Sequence, residues 1–183
     1  MMEEEVMSAE VLVAYCTRSG STAEVAQAIS KSMNKAGILA HVKPMAEVES
    51  IGDVKAVVLG TALYIGHFPK EFHRFVTRFQ AELTKMRPWI FVLGPTENKP
   101  EHFSSAGTQA HRDIARYPWL RPADLQVLGG RFDPEHLILP FPMSLIMKIP
   151  ANPMRKMPAS DIRDWERIDE WARKIADQLT ATV

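Results

Sequence analysis

Val11-Leu-Val-Ala-Tyr-Cys-Thr-Arg-Ser-Gly-Ser-Thr22, with the run that follows it, decides the reading of this chain. Val11 to Tyr15 is a short, nearly continuous apolar run, as expected for a strand buried on both faces. It stops at a hydroxyl-rich turn, Thr17-Arg18-Ser19-Gly20-Ser21-Thr22. From Thr22 the pattern becomes helical, with Val25, Ala28, Ile29, Ser32 and Met33 on one face. A strand, a tight turn and a helix N-terminus together make a phosphate site. The first N–H groups of a helix have no partner inside it, and the helix dipole adds positive potential there. Hydroxyls on Thr17, Ser19, Ser21 and Thr22 add donors, and Gly20 allows close backbone approach to an anion. The alternative is a plain capped turn, since Ser and Thr are common N-caps. The turn has neither the dinucleotide pattern G-x-G-x-x-G nor a Walker lysine.

The rest of the chain repeats this alternation. After the first helix, Ala36-Gly37 is a stop signal. Ile38 to Pro44 reads as a second strand, and Met45 to Ile51 leaves room for one helical turn. Ala56 to Leu59 is a third strand. It runs into Gly60-Thr-Ala-Leu-Tyr-Ile-Gly-His-Phe68. Pro69 opens an amphipathic helix from Lys70 to about Lys85, with Phe72, Phe75, Val76, Phe79 and Leu83 on its core face. Trp89 to Leu93 is the fourth strand, followed by the polar turn Gly94 to Pro100. A helix is expected from about Ser104 to Arg116. Leu125 to Phe132 is the fifth strand, and its Gly129-Gly130 pair predicts a bulge or a close backbone approach. Ser160 or Asp161 is expected to cap a last helix with Ile162, Trp165, Ile168, Trp171, Ile175 and Leu179 facing inward. This βαβ order predicts right-handed crossovers and a parallel sheet. Ligands of such sheets lie beyond the carboxyl ends of the strands, at the switch point.

Composition narrows the function. The chain has 183 residues, 46% of them hydrophobic, and suits one globular domain, here residues 10–183 behind a flexible tail at 1–9. With 22 basic and 22 acidic residues it carries no net charge, so nucleic acid is not an expected partner. Cys16 is the sole cysteine, which leaves no internal disulfide and no cysteine metal cluster. It is expected to be a small buried residue. His102, His111 and His136 lack metal-ligand spacing. Met1-Met-Glu-Glu-Glu5 lacks signal-peptide character, which predicts a cytoplasmic location. Asp133 to Pro158 is apolar, methionine-bearing and broken by prolines. A loop this long is expected to be functional.

The hydroxyl turn resembles the flavin-phosphate loop of flavodoxins, T/S-x-S/T-G-x-T after the first strand. Gly60 to Phe68 is similar to the flavin loop of the menaquinone-dependent protoporphyrinogen dehydrogenases, which are flavodoxin-type enzymes of haem synthesis. The 133–158 insertion, with its segment Ser144-Leu-Ile-Met-Lys148, and the final Asp161-Ile-Arg-Asp-Trp-Glu-Arg-Ile-Asp-Glu-Trp-Ala172 run also resemble that family. One departure stands in the loop: the family's basic residue and aromatic before Gly-His are replaced by Tyr64 and Ile65. The resemblance implies an α/β flavodoxin-like three-layer doubly wound fold with a five-stranded parallel sheet and an apolar insertion before the last helix.

It also implies FMN, since a mononucleotide needs only one phosphate cradle. Thr17, Arg18, Ser19, Gly20, Ser21 and Thr22 would surround the phosphate, with Arg18 pairing with it or pointing to solvent. Thr61, Ala62, Leu63, Tyr64, Ile65 and Gly66 would line one side of the isoalloxazine, Tyr64 either stacking on it or packing on a neighbouring helix. Gly94, Pro95, Thr96 and Asn98 would face the pyrimidine end. His67 stands at the edge as a proton donor or a residue with no chemical role. No metal site is expected. The implied activity is oxidation of a porphyrinogen-like substrate, with electrons passed to a quinone or another acceptor. The alternative is an electron-transfer flavodoxin without a substrate of its own, against which the neutral charge counts, since such shuttles are usually acidic. The segment 137–150 offers a contact for substrate or for the inner face of a membrane, or else only covers the sheet edge and buries apolar surface. Arg131, Lys148, Arg155 and Lys156 flank it and could meet propionates or lipid phosphates.

Overall fold

The computed structural model describes residues 10–135, 145, 149 and 157–181. Its elements run β1 (Glu10–Tyr15), α1 (Ser21–Lys35), β2 (Leu39–Pro44), a single 3-10 turn (Met45–Glu47), β3 (Ala56–Ala62), α2 (Lys70–Arg78), α3 (Gln80–Met86), β4 (Trp89–Leu93), α4 (Pro100–Ile114) and β5 (Asp124–Leu128). Two short strands, β6 (Arg131–Phe132) and β7 (Ser160–Asp161), precede α5 (Trp165–Ala181). The main sheet has the order β2-β1-β3-β4-β5, and every adjacent pair in it is parallel. The order reverses between β1 and β3, so the switch point falls where the hydroxyl turn and the Gly60–Phe68 stretch leave the sheet.

Alternation along the buried strands divides the core. Val11 and Val13, Ala56 and Val58, and Trp89 and Phe91 point to the layer of α1 and α5, where they meet Ile29, Met33, Ile168 and Ile175. Leu12, Ala14, Val57, Leu59, Ile90 and Val92 point the other way, against Phe72, Phe75, Leu83 and Ile114 of α2 to α4. Both faces of β3 and β4 are buried, which is why those strands read as unbroken apolar runs.

The three-layer parallel architecture is as expected, but five boundaries differ. β3 continues to Ala62, because Thr61 and Ala62 stay in register with Val92 and Leu93. The Lys70–Lys85 helix is broken at Phe79, whose φ of −105° and ψ of 29° end α2 and start α3. The Phe79 N–H still reaches the Phe75 carbonyl and the Leu83 N–H reaches that of Phe79, both at 3.0 Å, so a kink costs few hydrogen bonds. α4 begins at Pro100, earlier than the Ser104 expected, with proline in its first turn where no N–H is needed.

β5 ends at Leu128. The residues beyond Gly129-Gly130 form β6, which pairs antiparallel with β7. A Cβ on Gly129 would lie 2.2 Å from the Ile162 carbonyl oxygen, so the double glycine serves the close approach of two backbones. Ser160 and Asp161 therefore belong to a strand and do not cap the last helix. Asp164 does, its carboxylate accepting the Arg167 N–H at 3.0 Å. Trp165 lies outside the core, 45% exposed, with the Arg163 guanidinium 4.7 Å from its ring centre. Most of the 133–158 insertion, including the 137–144 apolar run and Lys148, Arg155 and Lys156, lies outside the described residues. Leu145, Ile149 and Met157, which are described, are exposed.

Candidate functional site

The turn after β1 is built around Gly20. Its φ is 86°, a left-handed conformation that side chains rarely adopt, and its carbonyl accepts the Glu24 N–H at 3.1 Å to start α1. The Thr17 hydroxyl accepts the Gly20 N–H at 3.0 Å. The amides of Ser21, Thr22 and Ala23 then head the helix, where helix geometry offers them no carbonyl. Thr22 Oγ1 is fully buried and has no hydrogen-bond partner, an unusual state for a hydroxyl. A Cβ placed on Gly20 would meet no atom within 4 Å, so open space lies over the turn.

Arg18 turns to the next loop. Its backbone N–H donates to Tyr64 Oη at 3.1 Å, and its guanidinium lies 4.4 Å from the centre of the Tyr64 ring. Tyr64 begins a tight turn. Its N–H donates to the His67 carbonyl at 2.8 Å, and the His67 N–H returns to the Tyr64 carbonyl at 3.2 Å. Between them Ile65 and Gly66 have φ of 52° and 78°. Two successive positive φ values favour Asn and Gly. A β-branched residue is a true outlier there, at a cost of about 1–2 kcal/mol. Burial pushes the Tyr64 phenol above its ordinary pKa, with the Arg18 amide and charge opposing. His67 is mostly exposed, with Nδ1 3.4 Å from Asp113 Oδ1.

The third element is the turn after β4. Gly94 N–H donates to the Leu128 carbonyl at 3.1 Å, and the Pro95 carbonyl accepts the Gly130 N–H at 2.7 Å. Ser160 Oγ donates to the Thr96 carbonyl at 2.9 Å, so β7 holds this turn from behind. Glu97, Lys99 and His102 form an exposed ion cluster beside it.

These parts enclose a cavity of about 260 Å³ at the carboxyl edge of the sheet. Arg18, Ser19 and Ser21 line it from the first turn, Ala62 to Ile65 from the second, and Gly94 and Thr96 from the third. Seven expected residues lie off its wall. Thr17, Gly20 and Thr22 shape the first turn; Thr22 and Thr61 are buried behind it, the Thr61 hydroxyl accepting from the Cys16 thiol at 3.4 Å. Gly66 sits against Gln109, Pro95 is buried, and Asn98 is exposed to solvent.

Leu93, Gly130, Arg131 and Phe132 complete the wall; Leu93, Gly130 and Phe132 were not among the expected site residues, and Arg131 was expected only beside the insertion. The double glycine marked the close approach, but nothing in the local pattern showed that the chain beyond it folds back over the cavity. Arg131 is 3.4 Å from both Glu24 Oε1 and Asp133 Oδ2. Arg163, with a buried side chain, donates to Glu24 Oε2 at 2.7 Å and to both oxygens of Asp161 at 2.8 and 2.5 Å. These pairs tie the first turn of α1 to both strands at the root of the insertion.

Cys16 is buried, its thiol turned toward the Gly60 carbonyl and the Thr61 hydroxyl. Burial pushes its thiol pKa up to about 12, only partly opposed by the hydrogen bond to Thr61. Among the described residues no group of His, Cys, Asp and Glu is placed to hold a metal ion, and no helix is long and apolar enough to cross a membrane.

An open parallel sheet with an anion-ready helix head at its switch point defines a mononucleotide-binding α/β protein. Residues 12–153 match the flavodoxin domain family, and the chain belongs to that family. It is 26% identical over 172 residues to the protoporphyrinogen IX dehydrogenase [quinone] of Escherichia coli K12, covering 91% of this chain and 94% of that protein. Among solved structures it resembles the oxidised flavodoxin 1 of Bacillus cereus, with a TM-score of 0.56, 12% identity and coverage of 92% and 97%. It also resembles the rubredoxin oxygen:oxidoreductase of Desulfovibrio gigas, with a TM-score of 0.58 and 13% identity, covering 95% of this chain and 37% of that one. The cofactor of this family is FMN. The residues present fit it: free helix-head amides, an orphaned Thr22 hydroxyl and open space over Gly20 suit a phosphate, and an apolar wall suits a flat ring.

Proposed function

We propose that the chain is an FMN-dependent oxidoreductase of the protoporphyrinogen dehydrogenase type, taking hydride equivalents from a porphyrinogen-like substrate and delivering electrons to a quinone. The observation that carries this reading is the cavity wall. Its fourth side, Gly130 to Phe132, runs into the apolar 133–158 stretch, so that stretch begins at the site itself. The likeness to the Escherichia coli dehydrogenase over 91% of the chain supports the same reading.

In this assignment the turn from Thr17 to Thr22 holds the phosphate through the amides of Ser21, Thr22 and Ala23 and the surrounding hydroxyls. Ala62 to Ile65, Gly94 and Thr96 flank the ring, Gly66 and Pro95 shape the two turns, Thr61 supports from behind and Asn98 stands at the outer edge. The bound flavin supplies the redox chemistry, so no side-chain nucleophile is required. The protein orients the ring, excludes water with Leu63, Leu93 and Phe132, and places Arg131 beside the entrance, where it can meet a substrate carboxylate. Balanced charge argues against the other reading, a soluble electron shuttle that docks through its field.

The reading is tested by turnover. FMN-loaded protein is given protoporphyrinogen IX and a soluble menaquinone analogue without oxygen. Porphyrin fluorescence should rise with quinone present and stall without it. A rate no greater than that of free FMN would remove the assignment.

A further inference from the structure

Ile65 concentrates two unfavourable features at one position. It is β-branched at a φ of 52°, and it is 71% exposed, so burial among the described residues does not offset the strain. Such a conformation persists only when the surroundings impose it, and here the restraint comes from α4. Asp113 is 2% exposed and stands 45 residues away from Phe68 in sequence. Its Oδ2 accepts the Phe68 N–H at 2.6 Å, and its Oδ1 lies 3.4 Å from His67 Nδ1. One helical turn earlier, the Gln109 side chain lies 3.4 Å from where a Gly66 Cβ would be. Phe68 is itself anchored, its ring 4.7 Å from that of Phe72. α4 thus grips the turn at the residue where it re-enters the core.

We propose that Asp113 is a positioning residue for the flavin: its carboxylate holds the Tyr64–His67 turn in the left-handed shape that walls the cavity, so flavin affinity and midpoint potential depend on a group that does not reach the cavity. This rests on the seating of the ring against that turn. A carboxyl group suits the task because a buried Phe68 N–H needs an acceptor, and its two oxygens let one side chain reach both the Phe68 N–H and His67 Nδ1. The strained residue and its restraint are separate in sequence, so their coupling is measurable.

The test is a double-mutant cycle on Asp113→Ala and Ile65→Gly, with Asp113→Asn as the conservative variant. Amide hydrogen exchange of Ile65 to Phe68 is read in the apoprotein, and FMN affinity and midpoint potential in the loaded protein. Asp113→Ala should speed exchange at Phe68, shift the potential and weaken FMN about tenfold. Asp113→Asn, which keeps an acceptor, should recover most of the affinity. Adding Ile65→Gly to Asp113→Ala should do the same, because glycine favours the turn unaided. Unchanged exchange, or strictly additive effects, would overturn the grip while leaving the flavin seat standing. Faster exchange with FMN affinity and potential unaltered would overturn the positioning role together with the seating of the ring at this turn.

Discussion

The amide of Arg18 donates to the phenol oxygen of Tyr64 at 3.1 Å while the guanidinium of the same residue covers the Tyr64 ring. This double contact joins the turn after β1 to the turn after β3 across the switch point of the sheet. In the proposed flavin seat it sets the distance between the phosphate turn and the ring turn. Tyr64→Phe keeps the ring and the cation contact but removes the acceptor. It should cost about 1 kcal/mol of stability, seen in urea unfolding, and weaken FMN several-fold in a fluorescence titration. Unchanged affinity would mean that the contact does not shape the site.

Gly20 offers a cleaner probe of the phosphate end. Its left-handed φ makes any side chain strained, by about 1–2 kcal/mol, but a Cβ there meets no protein atom. Gly20→Val should therefore leave a folded protein by circular dichroism that no longer retains FMN on a desalting column. Retention of the flavin would refute the phosphate assignment.

The thiol of Cys16, with its pKa raised to about 12 by burial, should be silent at neutral pH. Ellman's reagent at pH 8 is expected to find no reactive thiol in the native protein and one after denaturation. Rapid labelling of the native protein would show that the site behind Thr61 opens.

Asp161 and Arg163 give a pH dependence with a defined sign. The hydrogen bond from Arg163, and less so its charge, holds the Asp161 carboxyl below its ordinary pKa, against some desolvation. Its stabilising contribution is complete above the ordinary aspartate value of about 4 and is lost as pH falls through the lowered value. Asp161→Asn should lower the melting temperature at pH 6 and flatten its fall below pH 4. Parallel curves for the two proteins would place the acid sensitivity elsewhere.

How much of this was legible in the sequence depends on the range of the causes. Val11 to Tyr15 and Trp89 to Leu93 are buried on both faces, and continuous apolar runs report that directly. The hydroxyl turn was legible because helix-head chemistry is local. Trp165 was misread because periodicity places it on the inner face, whereas the helix starts only there and the ring serves Arg163. The break at Phe79 was invisible, since its aromatic spacing fits an unbroken helix. The fourth wall of the cavity was missed because Arg131 and Phe132 reach it through pairing with Ser160 and Asp161, across the whole insertion. The grip of Asp113 on Phe68 is of the same kind: neither residue carries a local sign of the other.

The most direct measurement is an anaerobic half-reaction. FMN-loaded protein is mixed with protoporphyrinogen IX, and flavin absorbance and porphyrin fluorescence are followed together. Rapid bleaching of the flavin matched by porphyrin formation is expected, with the yellow colour restored on adding quinone. A flavin that stays oxidised under protoporphyrinogen, in protein that dithionite reduces readily, would contradict the proposed activity.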